Sequence, residues 1–406
     1  MKLKSKSKSK SKSRSRLKLS PTAIRSSLVL GVAGALLAVP TAAQAQVQAQ
    51  APAQAPTQAT EDHSATLAAL NSLKAGGGPG AGVYAGTRDA SWNLSTGTAT
   101  INTNDPIGPD EYYRVGSQSK TFTAVTVLKL AEANGIGLDD PIERHLPGVV
   151  SVNGYDGNRI TVRHLLQQTS GIPGNGLPLA QAGPDGSFTL AALVKDGLRF
   201  APVSQPGAAF HYSNTNYEIL GMLIEKITGL PVHQAVTQQV IQPLGLAHTR
   251  FPAPTDRAVP GPAIHGYRGT RIGAFFFWLD GTAFEPSTFY ASGAVISTLR
   301  DMTAFYQAIV DGTALSAANL AEMEKTFEVG LPGSGYGYGL GMVKIPLPCG
   351  GTAWGHDGAV PGYYSQTLVT ADGRHASVLT NAHLATNIPA AQMHNTLTSA
   401  LCETPS

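Results

Sequence analysis

Between Phe122 and Ala133 the apolar residues Phe122, Val125, Leu128 and Ala131 recur at helical spacing, with no glycine or proline before Asn134-Gly135. That spacing predicts a helix over 119–134. Comparable patterns predict helices at 161–168, 189–198, 216–228 and 232–241, with Thr228-Gly229 as a stop and Pro231 opening the last. Near the start, His63–Ala75 reads as a helix broken by Gly76-Gly77-Gly78-Pro79-Gly80. Alternation with a period of two takes over elsewhere. Ala81–Thr87 and Ser91–Ile101, the latter with Trp92/Leu94 and Thr96/Thr98/Thr100, predict a hairpin. Tyr336–Ile345, Thr352–Trp354, Tyr363–Thr370 and Ala376–Thr380 predict further strands, and a final helix covers about 388–401. Strands at both ends with a mostly helical lobe (about 116–289) between them predict an α+β fold: an antiparallel sheet flanked by helices and completed by the C-terminus.

Charge changes this picture at one end only. Residues 1–45 hold ten of the 29 Lys/Arg and no acid, which leaves 19 basic against 26 acidic residues, a formal −7, in the remainder. A folded part of that sign gives no footprint for nucleic acid. The basic start, the apolar run Leu28–Val39 and the small-residue site Ala43-Gln44-Ala45 form the pattern of a secretory signal peptide over 1–45. The apolar run is too short for a membrane anchor, which needs roughly 20 residues. The Ala/Gln/Pro-rich stretch 46–64 reads as a disordered linker, so the folded domain is expected over 65–406. Cys349 and Cys402 are the two cysteines. In an exported chain a disulfide between them is the expectation, and two buried thiols the alternative.

Ser117 and Lys120 form an S-x-x-K pair where the 119–134 helix begins. Residues three apart share a helix face, so the amine can reach the hydroxyl and take its proton. The spacing alone is weak, since Ser5–Lys8 repeats it in low-complexity sequence. Gly335–Gly341 alternates glycine into Met342-Val343, which favours a strand closely approached by other backbone over a phosphate loop. No metal-ligand spacing occurs, His145, His164, His248 and His265 read as structural, and no cofactor is expected.

Two more motifs give Ser117 its context: Tyr212-Ser213-Asn214 in a polar loop before the helix Tyr217–Ile227, and His356-Asp357-Gly358 closing a short strand. Ser-x-x-Lys, Tyr-x-Asn and His/Lys-x-Gly in that order are the elements of penicillin-recognising serine hydrolases. From about Ala81 onward the sequence resembles the secreted Streptomyces-type D-Ala-D-Ala carboxypeptidases, relatives of class C β-lactamases and of D-amino-acid-specific peptidases and esterases. The likeness is carried by Arg114–Phe122, Ile160–Gly171, Pro206–Gly229, Ser292–Ser297, Tyr338–Gly341, Gly362-Tyr363-Tyr364 and the cysteine placement. It implies that Ser117 is an acyl-forming nucleophile, and that Lys120 and Tyr212 are a proton-transfer pair in which the ammonium lowers the phenol's pKa. Asn214 would hold Lys120 and a substrate amide, and His356 would offer a donor near Tyr212. The N–H groups of Ser117 and Ala359 would form an oxyanion hole, with Gln118, Asp357, Gly358 and Ala359 on the substrate side.

The activity implied is a secreted, monomeric D-Ala-D-Ala carboxypeptidase. Its substrates would be peptidoglycan stem peptides or small D-amino-acid peptides and esters, and β-lactams would acylate it. The alternatives are a D-aminopeptidase or esterase of the same superfamily, then a β-lactamase. A non-enzymatic wall binder is disfavoured, because a binder needs no proton-transfer pair. Two departures stand out. Asp357 and Ala359 occupy positions that carry hydroxyls in those carboxypeptidases, and Val343 stands where an arginine binds the substrate carboxylate. Lys344 points to the opposite face of an alternating strand. An anion at 357 would repel a carboxylate and attract an α-ammonium.

Overall fold

The computed structural model describes residues 62–403 apart from Asn175, 273–274 and 385–388. The expected signal peptide and all but the last residues of the linker lie outside the described residues. The chain enters through α1 (Ser64–Gly77), then the hairpin β1 (Gly80–Gly86) and β2 (Ser91–Gly97). Next come the helices α2 (Ser119–Asn134) and α3 (Asn214–Thr228), the hairpin β3 (Tyr267–Ile272) and β4 (Phe275–Asp280), and α4 (Leu299–Val310). The last part holds β5 (Phe327–Glu328), β6 (Gly337–Tyr338), β7 (Val343–Pro346), β8 (Thr352–Val360), β9 (Tyr363–Thr370), β10 (His375–Thr380) and α5 (Ala390–Cys402).

Eight strands form one sheet in the order β2-β1-β10-β9-β8-β7-β6-β5. Each neighbouring pair is antiparallel, and β1 pairs β10 with Ala81 opposite Thr380, so strands from both chain ends complete it. On one face α1 and α5 bury Leu70, Leu73, Val83, Leu368, Val378, Met393 and Leu397. Glu403 accepts from the N–H and the hydroxyl of Thr66, which places an anion at the N-terminus of α1. The Cys349–Cys402 disulfide ties the β7–β8 turn to the end of α5.

The other face packs on α4, with α2 and α3 beyond, around Phe122, Leu128, Tyr217, Leu220, Phe305 and Leu379. Phe122 stacks on Phe305 at 3.7 Å. Every residue of α2 from Ser119 to Leu128 is buried, polar positions included. Its threonines are satisfied internally: Thr121 donates to Gly341 O, Thr123 to Ala291 O and Thr126 to Phe122 O. It stops at Gly135 in left-handed conformation, whose N–H returns to Ala131 O.

The structure corrects four expectations. The aromatic β3–β4 hairpin lies inside the stretch read as mostly helical, and α4 and the helix Ala317–Met323 lie where no element was assigned. Tyr336–Ile345 is two strands, β6 and β7, split at Gly339–Met342; a Cβ on Gly339 would lie 2.1 Å from Met323 O, the close backbone approach that the glycine run announced. Strand β8 continues to Val360, so His356-Asp357-Gly358 lies within it.

Candidate active site

Ser117 occupies the 3₁₀ turn Gly116–Gln118 that leads into α2, and Lys120 follows one helical turn later. Ser117 is part-exposed while Lys120 is fully buried. Lys120 Nζ lies 3.1 Å from Ser117 Oγ, 2.8 Å from Asn214 Oδ1 and 3.0 Å from the Ser292 carbonyl. Asn214 is the first residue of α3 rather than part of a loop before it, so a helix end fixes its amide. Burial pulls the Lys120 ammonium down to about 7, even with Glu218 and Asp357 nearby to favour the charge. The amine is therefore available in its neutral, proton-accepting form near neutral pH.

Tyr212 precedes α3 and turns its hydroxyl toward Ser117. Its ring stands 4.8 Å from Lys120 Nζ. Gln168, a non-glycine residue in left-handed conformation (φ 62), brackets it: the Gln168 carbonyl accepts from His211 N–H and its Oε1 from Ser213 N–H. Desolvation of the hydroxyl, reinforced by Tyr338 and Asp357, raises the Tyr212 pKa well above its ordinary value. This reverses the expectation that the ammonium lowers it.

Strand β7 pairs with β8 only as far as Gly355, which leaves the β8 edge beyond it free of a strand partner on that side. The Ser117 turn packs there, and two glycines permit it. A Cβ on Gly358 would lie 1.9 Å from Val115 O and 3.1 Å from Ser117 N. A Cβ on Gly116, which has φ 59, would lie 2.9 Å from Ala359 N. The backbones at Ser117 and Ala359 are thus in close contact, the placement that an oxyanion hole made of their two N–H groups requires. The Asp357 side chain, 47% exposed, lies on the same strand between them and His356. Burial acts to raise its pKa, but the hydrogen bond and charge of His356 outweigh this and hold it below the ordinary value.

The Beta-lactamase family model matches residues 41–397. The chain belongs to the Beta-lactamase family. Its fold is shared with a D-stereospecific amidohydrolase from Streptomyces sp., at 39% identity and TM-score 0.72 over 79% of this chain and 94% of that one. A D-amino acid amidase from Ochrobactrum anthropi SV3, complexed with D-phenylalanine, matches at 25% identity and TM-score 0.71 over 84% and 97%. Among curated proteins, the putative penicillin-binding protein PbpX of Bacillus subtilis (strain 168) is 29% identical over 217 residues, 52% of this chain and 49% of that protein. The chain spans a third to a half of the length of the curated relatives it matches. This family and these neighbours place it among serine acyl hydrolases of the β-lactamase and penicillin-binding-protein type.

Of the residues singled out in this Beta-lactamase-family sequence, Ser117, Lys120, Tyr212, Asn214, Asp357, Gly358 and Ala359 converge. Gln118 does not. It is fully buried and donates from Nε2 to Ser365 Oγ at 2.8 Å, under the turn rather than in the cleft. His356 is fully buried beside both tyrosines: its ring lies 6.1 Å from that of Tyr212, the expected neighbour, and its hydrogen-bond partner is Tyr338. Its Nδ1 meets the Asp357 carbonyl at 2.5 Å, an acceptor only, so that nitrogen carries a proton, and its Nε2 lies 3.0 Å from the Tyr338 hydroxyl. Sequence reasoning missed Glu218, Ser292 and Gln168. Glu218 had a signal, as the acid inside the otherwise apolar run Tyr217–Leu223.

Proposed function

We propose that the chain is a D-stereospecific serine amidohydrolase that cleaves D-amino-acid amides and short peptides carrying a free α-ammonium. The observation that carries this is the half-exposed Asp357 carboxylate beside the Ser117–Ala359 pair, with Val343 on the same sheet face where a carboxylate-binding cation was expected. Lys344 pairs in register with Trp354, one position away, and its charge acts on Glu324. A cleft carrying an anion selects a cationic end group. The D preference is argued from the named activities of the two solved neighbours. The Cys349–Cys402 disulfide supports the reading that the chain acts outside the cytoplasm.

In the mechanism, neutral Lys120 accepts the Ser117 proton as Oγ attacks the amide carbon, and the oxyanion lies against the N–H groups of Ser117 and Ala359. Tyr212, whose raised pKa keeps it protonated, donates to the departing amine and is reprotonated from Lys120. Water then attacks the acyl-enzyme by the reverse route and frees Ser117. The test is ammonia release from D-phenylalanine amide, its L enantiomer and N-acetyl-D-phenylalanine amide, with Ser117→Ala as control. The D amide with a free ammonium should be turned over fastest, through Ser117. Equal turnover of the N-acetyl compound removes the role given to Asp357. Faster release of D-alanine from an acyl-D-Ala-D-Ala peptide restores the carboxypeptidase.

A further inference from the structure

Glu218 lies one helical turn beyond Asn214 on α3, almost fully buried, and the mechanism above makes no use of it. Its Oε2 accepts from the Ala291 N–H at 2.9 Å and its Oε1 from the Ser292 hydroxyl at 2.6 Å. Both partners belong to the short helical turn Tyr290–Gly293. The Ser292 carbonyl of that turn is the third acceptor on Lys120 Nζ.

That carbonyl decides where the lone pair of Lys120 points. A neutral amine has two N–H bonds and one lone pair. Of its three neighbours, Asn214 Oδ1 and Ser292 O can only accept, so they take the two N–H bonds. The lone pair is left facing Ser117 Oγ, the one neighbour with a proton to give. If the Ser292 carbonyl moved away, an N–H could turn to Ser117 and the lone pair elsewhere.

We propose that Glu218 is a positioning residue for Lys120: it anchors the 291–292 backbone so that the Ser292 carbonyl stays on Nζ, and its negative charge sets the proton affinity of the amine. This rests on the reading of Lys120 as the base. The groups around the pair are few. Glu218 faces Lys120 from α2 and feels the Tyr290 hydroxyl from the turn; the helix Leu190–Gly197 packs Leu190 near Gly221 of α3. Lys120 faces Asp357 from β8 and the rings of Tyr212 and Tyr217. Burial pushes Glu218 up to about 7, as it pulls Lys120 down to about 7.

The experiment follows single-turnover acylation and steady-state hydrolysis of D-phenylalanine p-nitroanilide across pH for the full chain and for Glu218→Ala, Glu218→Gln and Lys120→Met. Glu218→Ala should lower kcat about 10- to 100-fold with KM little changed, as a small misplacement does. Glu218→Gln retains an acceptor for the Ala291 N–H, so it should recover most of kcat at alkaline pH. Without the anion the ammonium is less favoured, so the Gln variant's acid limb should move to lower pH by about half a unit or more. A purely structural role would not move that limb, and the Gln variant gives the answer if the Ala variant fails to fold. An unchanged kcat and limb in Glu218→Gln, with acylation lost in Lys120→Met, overturns the role of Glu218 alone. Acylation retained in Lys120→Met overturns the base assignment and this proposal with it.

Discussion

The two sides of Ser117 are built in opposite ways. On the helical side, Lys120 is sealed from solvent and its three hydrogen-bond partners are within 3.1 Å; they hang on helix ends and a clamped turn. On the sheet side, β8 runs past the last residue paired to β7 and against the Ser117 turn, and it leaves the Asp357 carboxylate 47% exposed. The enclosed side tunes proton affinity by desolvation, which requires dry, fixed neighbours. The open side selects what may approach, which requires a charge that solvent and substrate can reach. Chemistry and selectivity are therefore separable here, and substitutions should split along that line.

The largest effect should come from Lys120→Met, which removes the proton acceptor and should cut acylation by an activated ester about 10³-fold; a preserved burst rate would erase the contrast. Gly358→Ala comes next. Its Cβ would lie 1.9 Å from Val115 O, so strand and turn must part, and kcat should fall about 10²-fold as when one oxyanion donor is lost. The pH profile sharpens the enclosed side. An ammonium cannot accept a proton, so kcat/KM should rise as pH climbs through about 7, where burial holds Lys120, and level off above it. A smaller change belongs to the open side: Asp357→Thr should lower kcat/KM for free-ammonium amides about tenfold, near 1.4 kcal/mol. It should raise turnover of carboxylate-ending peptides and leave N-acyl amides alone; a fall with all three would make Asp357 part of the machinery. Least affected should be Cys402→Ser. Opening a loop closed over 53 residues should remove about 4 kcal/mol of stability, seen as a lower melting midpoint at unchanged kcat.

The fold was legible wherever local pattern decides it. The α2 boundaries, the Gly135 and Gly229 stops, the β1–β2 hairpin and β9 read directly from spacing and turn residues. The β3–β4 hairpin was not, because an aromatic run such as Phe275–Asp280 carries no alternation to separate strand from buried helix. In the site, the motif residues were found but the hydrogen-bond partners of two were not foreseen. His356 faces Tyr338 and Gln118 faces Ser365, residues brought alongside only by the sheet.

The sequence by itself determined the helix that places Ser117 and Lys120 one turn apart, the ordered motifs, and the glycines that let a strand meet a turn. These follow from backbone sterics and periodicity, which act over a few residues. Only the tertiary structure decided that the first ten residues of α2 are buried on all sides and that Glu218 and Ser292 close the shell of Lys120. The same is true of the proton affinities of Lys120 and Tyr212, which desolvation moves in opposite directions. Desolvation penalises whichever form is charged, ammonium in one case and phenolate in the other, and desolvation is a property of the packed molecule.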